Sequence, residues 1–318
     1  MNLLVTGGLG FIGSNFIRHM LEKYHGCNII NLDKLTYAGN PDNLRDIENN
    51  PNYSFIRGDI CDETIVNKLM HDVDTVVHFA AESHVDRSIE DASCFVKTNV
   101  LGTFTLLDSA LKNNVKKFVH ISTDEVYGSR IEGSFKETDI LTPSSPYSSS
   151  KAGSDLLAQS YYITHKLPVI ITRCTNNFGP YQYPEKLIPL FITNLLKNRK
   201  VPLYGTGKNV RDWIYVLDHC KAIDFIINNG RIGEIYNVGG GEEKTNIQIT
   251  KKILEILGRD ESLIEYVKDR PGHDLRYSLD CSKLKALGWA PEHDFDSALG
   301  STVKWYIKNR WWWEKSRQ

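Results

Sequence analysis

Two short segments of the chain bring together side chains that can donate and accept protons. Thr123, Asp124 and Glu125 stand in sequence, and Tyr147 and Lys151 follow further along the chain. A phenolate can take the proton of a hydroxyl group, a carboxylate can remove a carbon-bound proton, and a carboxylic acid can protonate a leaving oxygen. The set predicts an enzyme that oxidises, eliminates and reduces on one substrate.

Tyr147 and Lys151 are four residues apart, so on a helix the two side chains lie on one face. An ammonium group near a phenol favours the phenolate, which would make Tyr147 a base at neutral pH. The same spacing recurs after Tyr162 and Tyr204, but one pair ends just before a proline and the other spans turn glycines. Only Tyr147 follows the strand that presents Thr123, and its position therefore favours it.

Asp124 and Glu125 have two interpretations. Adjacent acids most often lie at the solvated start of a helix. Here they directly follow Lys117–Ser122, an apolar segment typical of a buried parallel strand whose carboxyl end faces a ligand crevice. Two acids in one confined site have their pKa values driven apart, which provides one acid and one base. We favour this catalytic interpretation.

The chain around these residues alternates short apolar strands with helical patterns. Such alternation predicts an α/β fold with a doubly wound parallel sheet of the Rossmann type. The predicted strands are Leu3–Thr6, Ile29–Leu32, Ser54–Arg57, Thr75–Phe79, Phe118–Ser122 and Val169–Thr172, and the clearest predicted helices are Ala92–Lys112 and one from Lys151 to about His165.

The pattern loosens after Arg173 into loops that contain glycine and proline, and such loops usually carry binding groups on a rigid frame. We predict an NAD-binding Rossmann domain over residues 1–173 and a smaller, mainly substrate-binding domain over residues 174–318. Strand-like segments near 213–216 and 235–238 could return to the main sheet.

A glycine-rich turn between the first strand and the first helix predicts a dinucleotide site. Gly7, Gly10 and Gly13 let the backbone bend so that a pyrophosphate can sit against the N-terminus of the helix. Asp33 ends the second strand, where a carboxylate accepts from the ribose hydroxyls and repels a 2′-phosphate. NAD is therefore favoured over NADP, although Lys34 beside this acid weakens the discrimination. Asp59, after the third strand, is a predicted adenine contact.

Composition excludes several classes of protein. The net charge of -1 argues against bulk binding of nucleic acid or an anionic membrane. No apolar run approaches the roughly 20 residues that span a bilayer. The six cysteines are scattered without metal-like spacing, and with no signal peptide we expect a cytoplasmic protein with reduced thiols and no metal site.

The motifs at 123–128 (Thr-Asp-Glu-Val-Tyr-Gly) and 146–152 (Pro-Tyr-Ser-Ser-Ser-Lys-Ala) closely resemble those of the dTDP-glucose 4,6-dehydratases, which are extended short-chain dehydrogenases of the NAD-dependent epimerase/dehydratase family. The resemblance runs nearly end to end, and it is more specific to nucleotide-sugar 4,6-dehydratases in general than to one nucleotide. Further matching segments are 33–40, 81–88, 173–180, 185–187, 211–213 and 270–273.

The resemblance implies a role for each catalytic candidate. Tyr147 would take the proton of the sugar 4-hydroxyl as the C4 hydride passes to NAD, with Thr123 hydrogen bonded to the same oxygen. Glu125 would remove the C5 proton, and Asp124 would protonate the C6 hydroxyl so that it leaves as water. Return of the hydride to C6 would give the 4-keto-6-deoxy sugar and regenerate NAD.

The resemblance also implies binding residues and a homodimer formed through the helix at 92–112 and the helix of Tyr147. Arg211 and Arg270 would each offer a bidentate fork to the diphosphate. Beyond the glycines, Asp33 and the Tyr147–Lys151 pair, the implied cofactor contacts are Phe11, Ile12, Lys34, Leu35, Thr36, Asp59, Ile60, Ala80, Ala81, Thr98 and Asn177. The implied substrate contacts are Ser83, Thr123, Asn176, Lys186, Leu187, Pro202, Leu203, Tyr204, Arg211, Asn246, Arg270 and His273.

Three alternatives remain open at the level of sequence. A nucleotide-sugar 4-epimerase shares the fold, NAD and the tyrosine–lysine pair, but it needs no acid to expel water. A 4,6-dehydratase could act on a UDP- or CDP-hexose instead of dTDP-glucose. A non-catalytic NAD-binding module would not need every catalytic group.

The run Trp311–Trp313 is interpreted as packed aromatic surface, with no function assigned.

Overall fold

Seven parallel strands form the central sheet of the computed structural model, which describes residues 1–269 and 273–315. In the described residues the strands are β1 Asn2–Thr6, β2 Asn28–Asp33, β3 Tyr53–Arg57, β4 Thr75–His78, β5 Lys117–Thr123, β6 Val169–Cys174, β7 Asn176–Phe178, β8 Val201–Tyr204, β9 Val210–Tyr215, β10 Ile235–Val238, β11 Glu243–Thr245 and β12 Ile264–Val267.

The order of strands in this sheet is β10-β6-β5-β4-β1-β2-β3, and every neighbouring pair is parallel. The order reverses between β1 and β4, and in such sheets ligands bind in the crevice at the carboxyl ends of these strands. Apolar side chains pack on both faces of the sheet, so its central strands are buried, whereas the edge strand β3 is mostly exposed. The predicted doubly wound α/β fold is confirmed.

Helices cover both faces of the sheet, and further helices together with two small sheets build most of the chain beyond β6. One of them, predicted as a single helix over 92–112, has a π-helical turn at Val96–Gly102 between α4 and α5. The helices are α1 Phe11–Lys23, α2 Glu63–Met70, α3 Val85–Glu90, α4 Ser93–Phe95, α5 Thr103–Lys112, α6 Pro146–His165, α7 Leu187–Leu196, α8 Val216–Asn229, α9 Asn246–Ile256, α10 Ser282–Ala286, α11 Phe295–Lys308 and α12 Arg310–Lys315, with 3₁₀ turns at Pro41–Ile47, Asp124–Tyr127 and Glu261–Leu263.

The two segments expected to return to the main sheet behave differently. The segment at 235–238 is β10, an edge strand beside β6. The expectation for 213–216 is wrong, because this segment belongs to β9 in a separate three-stranded sheet between β11 and β7. A second hydrophobic core lies among α7, α9, α11, α12, β8 and β9. Trp213 and Tyr215 of β9 pack with Phe178 in this second core, and this packing keeps the strand away from the main sheet.

The second core also receives the C-terminal helices. Trp312 and Trp313 are buried in it at 1% and 0% exposure, whereas Trp311 is 41% exposed. The prediction of packed aromatic surface is therefore wrong for two of the three tryptophans, because α12 folds back onto α11 and Tyr181.

Across the described ranges, none of the helices combines the length and the apolar character needed to span a membrane.

Candidate active site

The turn after β1 holds the backbone where a bulkier residue could not fit. Gly7 has a φ of 72°, and a Cβ atom there would lie 2.6 Å from the Ala80 nitrogen. A Cβ atom at Gly13 would collide with the Gly7 carbonyl. Gly10 caps α1, and no side chain of the described residues bonds to this cap. The first turn of α1 therefore offers backbone N–H groups to an anion, and this fits a dinucleotide pyrophosphate.

Asp33 lies at the end of β2 and is buried. Its Oδ2 accepts from the Leu9 N–H at 2.9 Å, and its Oδ1 accepts from the Leu35 N–H at 2.8 Å. Burial raises the pKa of this carboxyl, while the two backbone bonds oppose that rise. Each carboxylate oxygen can accept more than one hydrogen bond, so the group retains capacity for a ribose hydroxyl.

Lys34, which was expected to weaken the preference for NAD over NADP, forms an ion pair with Asp59. Its Nζ lies 2.7 Å from Asp59 Oδ2, and Asp59 in turn accepts from the Cys61 N–H at 3.0 Å. The ammonium charge is thus partly neutralised by a neighbouring carboxylate. Since a 2′-phosphate would need an unpaired cation at this place, the pair favours NAD.

One cavity of about 310 Å³ joins the glycine-rich turn to the catalytic candidates. Leu35 is the one predicted cofactor residue outside its lining. Its side chain packs against the core of the main sheet, and its N–H donates to Asp33. The predicted cofactor residues in the lining are Gly7, Gly10, Phe11, Ile12, Gly13, Asp33, Lys34, Thr36, Asp59, Ile60, Ala80, Ala81, Thr98, Tyr147, Lys151 and Asn177.

Strand β5 delivers Thr123, Asp124 and Glu125 to this cavity. Asp124 is 3% exposed, and its Oδ2 has no hydrogen-bond partner among the described residues. Burial and then the Glu125 carboxylate raise the pKa of Asp124 well above its usual range. The environment of Asp124 therefore favours its protonated form, which is the form that can serve as an acid.

Tyr147 and Lys151 also meet at the cavity, but their electrostatics differ from the simple expectation. The Lys151 Nζ donates to the Ile121 carbonyl at 2.8 Å, and burial lowers the pKa of this lysine to about 8. The pKa of Tyr147 is raised well above its usual range by burial and by Glu125, although a hydrogen bond with Thr123 opposes the shift. The protein groups alone therefore hold Tyr147 as a neutral phenol.

A buried charged network lies behind Lys151, and the sequence analysis missed it. Asp155 is one helical turn beyond Lys151 and accepts from Arg173 Nε at 2.8 Å. His120 Nε2 lies 3.3 Å from the same carboxylate. The Asp155 charge raises the pKa of Lys151 against the effect of burial. The i, i+4 spacing from Lys151 is the signal in the sequence that could have indicated this counter-ion.

The predicted substrate residues that the structure describes fall into two groups. Ser83, Thr123, Asn176 and Lys186 line the cavity, and Lys186 Nζ donates to the Ser83 carbonyl at 2.9 Å. Arg270 lies outside the described residues. The remaining candidates lie outside the lining of this cavity: Leu187, Pro202, Leu203, Tyr204, Arg211, Asn246 and His273.

Arg211 differs most from expectation within this second group. It is 5% exposed, its guanidinium donates to the Val210 and Asp274 carbonyls at 2.7 and 2.9 Å, and it lies 4.2 Å from the centre of the Tyr277 ring. Its charge lowers the pKa of Asp124, which places it near the catalytic end of the site. These bonds use part of the fork that was predicted for the diphosphate.

The lining includes polar residues that the sequence analysis did not select. Glu82 and Ser122 follow or end strands of the main sheet, and Gln182, Tyr183 and Glu185 lie in the loop between β7 and α7. Their position at the carboxyl edge of the strands was the signal in the sequence that could have identified them as lining residues.

Within residues 1–269 and 273–315, no group of three or more His, Cys, Asp or Glu side chains could hold a metal ion.

Comparison with known proteins agrees with this geometry. A family model described as GDP-mannose 4,6 dehydratase matches residues 4–302. A dTDP-glucose 4,6-dehydratase of Streptomyces niveus is 51% identical over 319 residues, which cover 99% of this chain and 95% of that protein. The chain belongs to the nucleotide-sugar 4,6-dehydratase family. The resemblance found in the sequence is thereby confirmed.

The fold of this 4,6-dehydratase family member is similar to solved structures of both a 4,6-dehydratase and a 4-epimerase. DesIV, a dTDP-glucose 4,6-dehydratase from Streptomyces venezuelae solved with NAD and dTDP, has a TM-score of 0.98 and 53% identity, covering 99% of this chain and 100% of that one. A UDP-glucose 4-epimerase from Thermus thermophilus in complex with NAD has a TM-score of 0.90 and 31% identity, with 97% and 100% coverage. The fold is therefore common to both reactions, and the site has to distinguish them.

Proposed function

We propose that this chain dehydrates dTDP-glucose to dTDP-4-keto-6-deoxyglucose, with NAD reduced and then reoxidised in one cycle. The observation that carries the proposal is the buried Asp124, whose Oδ2 has no partner among the described residues and whose pKa is raised beside Glu125. A 4-epimerase has no use for an acid that expels water. The related proteins named as dTDP-glucose 4,6-dehydratases support the choice of nucleotide sugar.

Oxidation at C4 uses the pair formed by Tyr147 and Thr123. The hydrogen bond between the two hydroxyl groups places them where they can both contact one substrate oxygen. Tyr147 takes the proton of the C4 hydroxyl, and the buried Lys151 ammonium contributes positive charge on the same helix face. NAD, when bound at the glycine-rich turn, supplies the hydride acceptor and donor and a positively charged ring that favours the phenolate.

Elimination uses the two adjacent carboxyl groups. A ketone at C4 acidifies the C5 hydrogen, which the Glu125 carboxylate removes. The protonated Asp124 gives its proton to the C6 hydroxyl, so that the C6–O bond breaks, water leaves and a C5–C6 double bond remains. When the hydride is returned to C6, the protonated Glu125 gives its proton back to C5, which completes the 4-keto-6-deoxy product. Burial is deeper at Asp124, which is 3% exposed, than at the half-buried Glu125, and deeper burial favours the protonated form of a carboxyl group.

A panel of nucleotide hexoses tests the proposal directly. Purified protein is incubated with dTDP-, UDP- and CDP-glucose, and each product is analysed by mass spectrometry for the loss of one water. We expect loss of water from dTDP-glucose at the highest kcat/KM. Interconversion of the C4 stereoisomers without loss of water would identify an epimerase and refute the assignment.

The cofactor released from the protein should be NAD. Asp33 repels a 2′-phosphate, and Lys34 is paired with Asp59, so neither residue provides a site for NADP. The measurement is chromatography of the nucleotide released by denaturing freshly purified protein. Asp33→Asn should bring the affinities for NAD and NADP closer together, whereas Asp62→Asn, at the N-cap of α2, should not change their ratio. Release of mostly NADP from the unaltered protein would contradict this.

We also propose a homodimer and a cytoplasmic location. Val96, Leu101 and Phe104 are exposed at 54%, 46% and 37% on the helix predicted to form the interface, and Leu156 of α6 is exposed at 57%. Such a patch is typical of an interface. Light scattering should give twice the chain mass for the unaltered protein and one chain mass for Leu101→Glu, whereas the control Ile140→Glu should still give twice the chain mass.

The six free thiols support the proposed cytoplasmic location, because reduced cysteines are typical of that compartment.

A further inference from the structure

The tryptophan run at the C-terminus has a direct connection to the cofactor site. Trp312 lies in α12, and its indole Nε1–H donates to Asn43 Oδ1 at 2.7 Å. Asn43 Nδ2 donates to the Leu9 carbonyl at 2.8 Å, and the Leu9 N–H donates to Asp33 Oδ2 at 2.9 Å. All three bonds are buried, so a continuous chain of hydrogen bonds joins α12 to the glycine-rich turn.

We propose that Trp312 is a positioning residue for NAD, acting through Asn43 on the glycine-rich turn. The inference rests on the proposed function, because it assigns a new residue to the cofactor site. Leu9 stands between Gly7 and Gly10, and both its N–H and its carbonyl take part in the chain of bonds. Fixing those two groups fixes the backbone that must present its N–H groups to the pyrophosphate.

The chemistry of the two side chains explains why a tryptophan is needed. An asparagine amide has one accepting and one donating end, and the two ends can exchange places by rotation. The indole N–H can only donate, so it selects the orientation in which Asn43 Oδ1 faces Trp312 and Nδ2 faces Leu9. Asn43 is 1% exposed, so water does not replace the indole.

The rest of the surroundings hold the tryptophan in place. Its ring packs against Trp305 and Tyr181, with centroid distances of 5.2 and 5.8 Å. The Asn40 N–H donates to the same Leu9 carbonyl at 3.0 Å, so the turn receives a second bond from the segment that carries Asn43. The C-terminal part of the chain thereby contributes to a site built by the first three strands.

Trp313 provides a matched control within the same helix. It is as deeply buried as Trp312, and its indole N–H also donates to a carbonyl, that of Tyr306 at 2.8 Å. This bond stays within the C-terminal helices and does not reach the cofactor site. Trp312→Phe and Trp313→Phe therefore remove the same group from the same core, with only one of them on the path to Leu9.

The test measures how fast the holoenzyme exchanges its bound NAD for labelled NAD. Trp312→Phe should speed the exchange about threefold to tenfold, the range expected for loss of one neutral hydrogen bond. Asn43→Ala removes two bonds of the path and should speed the exchange at least as much. Trp313→Phe should exchange NAD at the unaltered rate. Amide hydrogen exchange over residues 7–13 should be faster in Trp312→Phe than in Trp313→Phe, and kcat at saturating NAD should be unchanged in Trp313→Phe.

The double variant Trp312→Phe/Asn43→Ala should exchange NAD no faster than Asn43→Ala alone, because both changes break one path. Equal effects of Trp312→Phe and Trp313→Phe would overturn the inference by tracing the change to core packing. Additive effects of the two path residues would overturn it as well. If purified wild-type protein contained no NAD, the proposed function and the inference would both be refuted. If Trp312→Phe exchanged NAD at the wild-type rate, the inference alone would be refuted.

Discussion

Asp124→Asn should lower the rate of dehydration of dTDP-glucose about 10²–10⁴-fold, the usual contribution of a positioned general acid. Burial and the Glu125 carboxylate hold the proton on Asp124, and the amide has no proton to give. Without it, the C6 oxygen would have to leave as hydroxide. The measurement is the rate of formation of the 4-keto-6-deoxy product at saturating substrate.

A substrate with a better leaving group separates acid catalysis from binding. With fluoride in place of the C6 hydroxyl, Asp124→Asn should recover much of the lost rate, because fluoride needs less assistance to leave. Asp218→Asn is a matched control, since Asp218 is also buried, at 1% exposure, but its carboxylate accepts from the His293 N–H at 3.1 Å. The control variant should change the rates with the natural and the fluoro substrate by the same factor. Equal slowing of both substrates in Asp124→Asn would assign the residue to binding or oxidation.

Glu125→Gln should stop the reaction after oxidation at C4. The amide cannot accept the C5 proton, so elimination should fall by the same order of magnitude, about 10²–10⁴-fold. Tyr147 and Thr123 remain in place, and removal of the negative charge next to Tyr147 lowers the pKa of the phenol. Mixing this variant with dTDP-glucose should therefore build up the absorbance of the reduced cofactor while little product forms.

Glu82→Gln tests whether any carboxylate in the cavity would have the same effect. Glu82 lines the same cavity, but its charged neighbours are Lys34, Arg87 and Glu185, and its N–H bonds to Asn99. This control should not accumulate reduced cofactor. Near-normal turnover in Glu125→Gln would remove Glu125 from the mechanism and leave the C5 base to another group.

Much of the site follows from local features of the sequence. Gly7, Gly10 and Gly13 predict the cofactor turn, because only glycine allows the backbone to pass so close to Ala80 and to itself. Asp33 and Thr123 could be placed because each ends an apolar strand, and the ends of parallel strands share one edge of the sheet. The sequence by itself therefore determined the fold and the cofactor, and it supplied the catalytic candidates as predictions.

The tertiary structure decided what depends on contacts between distant residues. The place of β9 followed from the packing of Trp213, and the raised pKa of Tyr147 from its burial beside Glu125. The bond from Trp312 to Asn43 joins positions that are 269 residues apart. A periodic pattern reports which face of an element is apolar, but not which other element that face will contact, and these features depend on that choice.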